Sequence, residues 1–499
     1  MTEPVRTLID ELIESQRRLD TPAARFAAAH ALQPSAAPRS QLIPLSAPGP
    51  GEQYAFQVDL DSCTGCKACV AGCHSLNGLD DGETWRDVGL VLGGTESHPF
   101  QQTVTTACHH CEDPACLDGC PVLAYEKDPV TGIVVHLDDQ CIGCSYCVLK
   151  CPYDVPKYND RLGIVRKCDM CHGRLSAGEA PACAQACPTG AITIVTVPVA
   201  KSPISNPKSP ITDLAAPPSY TRPATRYVSK TPLPENLRAA DAGTLRPQHA
   251  HHALVALLVF TQLGLGLMAA AQIQNSGSLI LNLTGVGLFT TGLIASVAHL
   301  GQPFRAWRIF LGLRRSWLSR EAVLLGAAFP LLVAASVSEW IPIPFIRHWS
   351  SVIGHSGLVL AAVGVACSAM IYTDTRRRFW RLSQTFGRMF GTVVISALAG
   401  LAVATSVSGW SVATALTLAA KLSLELLTYG GDSIPARLQQ GPLHRLWGIR
   451  LVIGGLALFL FSADHPAIGF VLFVAGEFLE RTLFFRAVDA PKMPGVPSS

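Results

Sequence analysis

The residues of this chain able to do chemistry are its cysteines. Of 17, all but Cys367 lie between Cys63 and Cys187, and they fall into four runs. These are Cys63-x2-Cys66-x2-Cys69-x3-Cys73, Cys108-x2-Cys111-x4-Cys116-x3-Cys120-Pro121, Cys141-x2-Cys144-x2-Cys147-x3-Cys151-Pro152 and Cys168-x2-Cys171-x11-Cys183-x3-Cys187-Pro188. Disulfides suit an oxidising compartment and fit poorly in a segment read below as facing the cytoplasm. A structural zinc site pairs two separated Cys-x2-Cys knuckles into one tetrahedron. The spacing found here instead wraps three thiolates around one 4Fe–4S cluster and sends the fourth to a neighbouring cluster.

That crossover makes the ligand sets predictable. Nesting the runs like brackets, first with fourth and second with third, places Cys63, Cys66, Cys69 and Cys187 on one cluster and Cys73, Cys168, Cys171 and Cys183 on its neighbour. The second pair takes Cys108, Cys111, Cys116 and Cys151, then Cys120, Cys141, Cys144 and Cys147. Four 4Fe–4S clusters in one small domain form a path for single electrons. Neither half of the chain contains a nucleophile–base arrangement, a P-loop or a dinucleotide fingerprint. Nothing points to nucleic acid.

The elements that must position these thiols are short. YAFQVDLD from Tyr54, GIVVHLD before Cys141 and AITIVTV after Cys187 alternate as strands. Ahead of them, Val5, Leu8, Ile9, Leu12 and Ile13 sit at helical spacing, so residues 1–53 read as an amphipathic helix and a Pro/Ala-rich tether, the helix docking on its own domain or on a partner. The twin arginines Arg17 and Arg18 have no apolar run after them, so the opening residues do not read as an export signal. Residues 54–197 form the iron–sulfur domain. Residues 198–248 hold so many prolines that they read as an extended connector.

From residue 249 to 499 the sequence turns apolar, with spans at about 253–272, 279–299, 321–340, 351–372, 389–408, 411–429, 449–463 and 466–486. The fold expected is an α+β four-cluster ferredoxin-like domain followed by an all-α eight-helix transmembrane bundle. The net charge of +3 decides little, but the loop arginines do. Those on the connector's side include Arg305, Arg308, Arg314, Arg315, Arg320, Arg376, Arg377, Arg378, Arg381 and Arg388, against Arg347 alone on the other. The positive-inside rule then puts the cysteine domain in the cytoplasm. Docking of an acidic soluble partner is the competing explanation for the same arginines. Within the spans, Lys421 with Glu425 and Glu477 with Arg481 stand four apart and read as self-paired charges, leaving Glu480 over. Axial haem ligation needs two histidines at one depth. His355 and His299 lie at opposite ends of their spans, and His251 and His252 precede theirs, so no haem is expected.

The four runs, with CPYDVPKY at 151–158 and KCDMC at 167–171, resemble the iron–sulfur subunit of dimethyl sulfoxide reductase-type molybdoenzymes. The membrane half, through AHLGQPFRAW at 298–307, SWLSRE at 316–321 and YTDTRRRFW at 372–380, resembles the separate anchor subunit of the same complexes. The sequence departs from the commoner arrangement in fusing the two. The resemblance implies an electron-transfer and anchor subunit that oxidises menaquinol or ubiquinol and feeds a molybdopterin-containing catalytic subunit. It places His299 and Glu321 in the quinol site as proton acceptors, with Arg305 and Arg320 orienting the head group. Electrons would enter the second–third cluster pair and leave from the first–fourth. The expected location is the cell inner membrane, with the iron–sulfur domain cytoplasmic, or periplasmic if a signal-bearing partner exports it. A redox-linked ion-translocating or quinone-reducing subunit and a zinc-stabilised scaffold are the other readings. Anaerobically purified protein is expected to contain roughly sixteen irons per molecule and no stoichiometric zinc, checked by metal analysis.

Overall fold

The computed structural model describes residues 7–17, 42–199, 210–274, 279–337, 344–405, 407–490 and 493. The opening helix, Leu8–Arg17, forms as its periodicity predicts. Its apolar face is not docked on the domain: Leu8 is 74 % exposed and Ile9 66 %. Most of the expected tether lies outside the described residues, and its end is already packed, with Leu42 buried and its carbonyl accepting from Ile194 N at 2.9 Å.

The iron–sulfur region is built on small sheets. Strand β1 (Glu52–Asp59) pairs antiparallel with β8 (Ile192–Pro198), Phe56 opposite Ile194, so the strands before the first run and after the last one close the region on itself. Strands β2 (Asp87–Gly94) and β3 (Pro99–Thr106) form a hairpin. Two shorter hairpins, β4 (Tyr125–Lys127) with β5 (Val134–His136) and β6 (Lys157–Asn159) with β7 (Ile164–Arg166), flank the third run.

The proline-rich segment is not a free connector. Within it β9 (Arg226–Val228) pairs parallel to β1, and β10 (Arg238–Ala239) pairs with β2. Both are edge strands that contain no proline, and a sheet edge is the one place where a proline-rich segment can pair. The segment therefore belts two sheets before it reaches the membrane.

Eight long helices follow: His252–Ile273, Leu279–Ala298, Trp317–Val337, Pro344–Thr373, Leu382–Thr405, Ser408–Tyr429, His444–Ser462 and Pro466–Arg486. Among the described residues, seven are long and apolar enough to cross a membrane; the eighth carries Glu477, Glu480 and Arg481. The molecule is a multi-pass membrane protein. Several helices begin earlier than the hydropathy predicts, at Trp317, Leu382 and His444, because their first turns are polar but still helical.

The expected four-apart pairs inside the bundle, Lys421 with Glu425 and Glu477 with Arg481, do not form as ion pairs. Lys421 pairs with Glu477, Arg450 forks onto Glu425 at 2.7 and 3.0 Å and reaches Glu477 at 3.3 Å, and Arg388 meets Glu480 at 3.0 Å. Glu480 also pairs with Arg481, so it is not left over. All seven side chains are buried, Glu477 at 0 % exposure. Four-residue spacing puts two charges on one face, and here that face points into the bundle, where guanidinium forks from other helices outcompete a helical neighbour. The network ties the fifth to eighth membrane helices together. Arg450→Met removes the ion-pair partner of Glu425 and is expected to cost about 3–5 kcal/mol of stability in detergent. Adding Glu425→Gln should restore more than half of that, as read by unfolding midpoints.

Candidate functional site

Each cysteine run is shaped by backbone bent the uncommon way. The residue before the second cysteine has positive φ in all four runs: Gly65 at 72°, His110 at 41°, Gly143 at 70° and Met170 at 57°. This curl turns backbone N–H groups toward sulfur, as in Gly143 N to Cys141 Sγ and Met170 N to Cys168 Sγ, both 3.4 Å, and beside another positive φ, at Leu123, Ala124 N reaches Cys120 Sγ at 3.2 Å. Such N–H···S contacts tune a sulfur-ligated metal. A short helix follows each turn. Ala68–Asn77 of the first run lies against Ala182–Gln185 of the fourth, where a side chain on Gly72 would strike Ala186. Ala115–Gly119 of the second lies against Tyr146–Lys150 of the third, where a side chain on Gly119 would meet Lys150.

The thiols consequently gather across runs. Burial raises the Cys69 thiol, and Cys187 and Cys63 are the thiolates acting on it; for Cys73 they are Cys183 and Cys171. Cys111 faces Cys108, Cys151 and Cys116, and Cys147 faces Cys144, Cys141 and Cys120. Among the described residues, no three of the His, Cys, Asp and Glu side chains converge closely enough for a single ion. Thiols that gather without converging suit a cubane with iron at its corners, and the residues fit that group.

Neighbouring groups of thiols lie within electrostatic reach of one another. Cys168, of the set with Cys73, is acted on by Cys108 of the next set, and Tyr125 is acted on by Cys147 and Cys120 on one side and Cys116 on the other. The set with Cys144 stands at the membrane end. There Tyr146, 1 % exposed, leaves the cysteine loop and joins the hydrophobic core of the bundle, its hydroxyl donating to Ile371 O at 3.1 Å.

The loops that carry the motif residues of the membrane half hold this end down. Gly301 lies so close to the third run that a side chain there would meet Gly163 O at 2.1 Å and Tyr158 Oη at 2.5 Å, and one on Gly143 would meet Gly301 Cα at 3.0 Å. Gln302 N donates to Ile142 O at 3.1 Å, Ser316 Oγ to Gly119 O at 2.7 Å, Arg377 to Leu149 O at 3.1 Å, and Lys150 pairs with Asp374 at 2.6 Å. Arg305 donates to Asp138 O and Cys141 O at 3.0 and 3.2 Å. Arginines expected only to mark a membrane face, or to dock a separate protein, thus also dock the molecule's own iron–sulfur domain.

Beneath that contact lies an apolar cavity of about 300 Å³. His299 and Glu321 both line it, with Cys144, Tyr146, Ser296 and Tyr372. The carboxylate of Glu321 accepts from Ser368 Oγ, whereas the buried ring of His299 has only the Ser296 backbone as a polar neighbour. Arg305 and Arg320 do not line it: Arg305 is engaged with carbonyls as above, and Arg320 donates to Leu313 O and Arg314 O at 3.0 and 2.9 Å and stacks on Trp317. Their expected role at a head group has no support in this geometry. His299 also borders a larger, more polar cavity of about 680 Å³ that it shares with His249, His251, His252, Asp154 and Asp160. His251 and His252, set aside from sequence because they precede the first span, are therefore on the same wall as His299.

Comparison with known proteins divides the molecule at the same place. Residues 100–197 match the 4Fe–4S dicluster domain and residues 250–428 match the dimethyl sulfoxide reductase anchor subunit. The B subunit of anaerobic dimethyl sulfoxide reductase from Haemophilus influenzae is 37 % identical over 150 residues, 28 % of this chain and 73 % of that protein; its Escherichia coli counterpart is 38 % identical over 148 residues, 28 % and 72 %. The protein belongs to the dimethyl sulfoxide reductase iron–sulfur subunit family, fused to that enzyme's anchor. The nitrate-inducible formate dehydrogenase iron–sulfur subunit of Escherichia coli is also similar, 35 % identical over 157 residues, 28 % of this chain and 53 % of that one. As a member of the dimethyl sulfoxide reductase iron–sulfur family, the molecule is an electron-transfer, iron–sulfur-binding membrane protein.

Four positions in this fused reductase subunit were not singled out from sequence. Arg86, Tyr125 and Lys167 lie between groups of thiols, and Tyr146 bridges the two halves. Only Lys167, directly before Cys168, carried a local signal. Gly301→Val is expected to push the third run off the membrane helices and to cost about 1–3 kcal/mol through overpacking, as read by unfolding midpoints in detergent. Chemical reduction by dithionite should be unaffected, as read by stopped-flow bleaching.

Proposed function

We propose that this protein oxidises quinol in the 300 Å³ cavity and passes the electrons through four 4Fe–4S clusters to a separate molybdopterin-containing catalytic subunit. The carrying observation is that Cys144, His299 and Glu321 line one apolar cavity. It brings a cysteine of the third run and two proton acceptors to one substrate-sized space. The clusters would supply one-electron acceptance, held by the four sets of cysteines read from the spacing. Electrons would enter at Cys120, Cys141, Cys144 and Cys147 and leave from the set with Cys63.

The side chains supply the rest. A quinol that gives up two electrons also loses two protons. His299, with a ring nitrogen open to the cavity, takes one, and Glu321 takes the other while Ser368 orients its carboxylate. The polar cavity on the other side of His299 offers that proton a way to water. Leu254, Leu257, Leu293 and Leu325 make the wall that suits an isoprenoid ring carrier. Its setting is the inner membrane, with the iron–sulfur domain on the arginine-rich side. The bundle charges Lys421, Glu425 and Glu477 are each held in ion pairs, which favours a structural clamp over the ion-transport reading.

His299→Ala is expected to slow quinol-dependent cluster reduction by about 10²-fold or more, and Glu321→Gln comparably, with dithionite-reducible signals intact. Unchanged rates in both would remove the cavity from the reaction. The reading assigns no haem, so an absorption spectrum of reduced protein should lack a Soret band; its presence would place iron near His251 and His299 instead.

A further inference from the structure

Two cations are buried among the thiols without an ion pair to a carboxylate among the described residues. Arg86 is 2 % exposed and Lys167 3 %. Arg86 donates through Nη1 to Thr105 Oγ1 at 3.1 Å, and its guanidinium lies 4.6 Å from the Phe56 ring centroid. Its Nε and Nη2 have no oxygen or nitrogen acceptor, and the Cys183 sulfur is its other hydrogen-bonding neighbour. Lys167 Nζ donates to Cys168 O at 2.8 Å and to Val134 O, and lies 3.7 Å from Cys108 Sγ. Among the described residues, neither cation has an ion pair with Asp or Glu.

An unpaired charge out of water is strongly unfavourable, so a fold that keeps one must supply an opposite charge nearby. The groups facing these two cations are mostly cysteines, which carry negative charge as thiolates when they hold a cluster. Buried Arg86 faces Cys183, Cys69, Cys168 and Cys73 and is hydrogen-bonded to Cys183. Those four cysteines belong to two sets, the one with Cys63 and the one with Cys171. Lys167 faces Cys108, Cys116 and Cys168, again from two adjacent sets, with Asp169 as the one acidic side chain among its neighbours. Each cation therefore sits at a junction between neighbouring groups of thiols, and the set with Cys168 is flanked by both.

We propose that Arg86 and Lys167 are redox-positioning residues, fixed buried cations that raise the reduction potentials of the clusters on either side of them. The inference rests on the four-cluster reading above. The step is one electron in and no proton: the cluster gains one negative charge, and the adjacent cation lowers the cost of holding it. Three sets are affected, while the set of Cys120, Cys141, Cys144 and Cys147 beside the cavity touches neither cation. Arg86 and Lys167 thus bias electrons away from the membrane end and toward the sheet-enclosed end of the domain. The two remaining nitrogens of Arg86 would donate to cysteine or cluster sulfur.

The test is an EPR-monitored redox titration of the full-length protein, purified anaerobically, comparing wild type with Arg86→Gln, Arg86→Lys and Lys167→Met. Arg86→Gln should shift the one-electron equilibrium of two centres at least tenfold against reduction, about 59 mV each, and Arg86→Lys should keep both within threefold. Lys167→Met should move two centres, one of them shared with Arg86→Gln, and one centre should move in neither variant. Unchanged midpoints in Arg86→Gln, or an equal shift in Arg86→Lys, would overturn the proposal. Wild type labelled with 15N-arginine tests it without substitution: one guanidinium should couple to the reduced centres in hyperfine spectra, and no coupling would overturn it. Fewer than four centres in wild type counts against the four-cluster reading alone, because the Arg86 shift is read on whichever centres Cys69 and Cys183 hold.

Discussion

A contact between backbones, Gly301 against Gly143 and Gly163, governs how the two halves of this molecule can work together. Side chains at these three positions would hold the third cysteine run away from the membrane helices. With glycine there, the run descends far enough for Tyr146 to enter the core of the bundle and for Cys144 to line a cavity formed by membrane helices. Polar contacts then fix the register, from Ser316 to Gly119 O and from Lys150 to Asp374. Their strength comes from number and from exclusion of water, since each alone contributes about 0.5–1.5 kcal/mol.

Both halves also bury charge, and they neutralise it differently. In the bundle, Glu425, Glu477 and Glu480 are matched by Arg388, Lys421, Arg450 and Arg481, mostly drawn from other helices. Hydrocarbon offers no alternative partner, so the pairs tie helices together. In the iron–sulfur domain, Arg86 and Lys167 are matched by thiolates. The first arrangement holds a shape, and the second leaves a positive field where electrons travel.

The fusion has a structural consequence. The proline-rich segment adds β9 and β10 to two existing sheets, so the polypeptide leaving the cysteine region is tied to it twice before entering the first membrane helix. Prolines exclude that segment from sheet interiors, and the edges accept its short proline-free stretches. The periodicity of Leu8–Arg17 foretold a helix correctly. The partner for its apolar face was not foretold, since a moment identifies a sticky face and not what it sticks to.

The sequence by itself determined the cysteine chemistry, the two-part architecture and the long apolar helices, because ligand spacing and hydropathy are local properties read along the polypeptide. It also placed His299 and Glu321 together, through motif residues on either side of one loop. Tertiary structure alone decided that Arg305 and Arg320 turn to carbonyls, that Lys421 pairs outside its own helix, and that Arg86 and Lys167 come to rest between thiols. The physical reason is common to all of these. A charge removed from water takes the strongest partner within reach in space, and reach in space is set by packing and not by distance along the sequence.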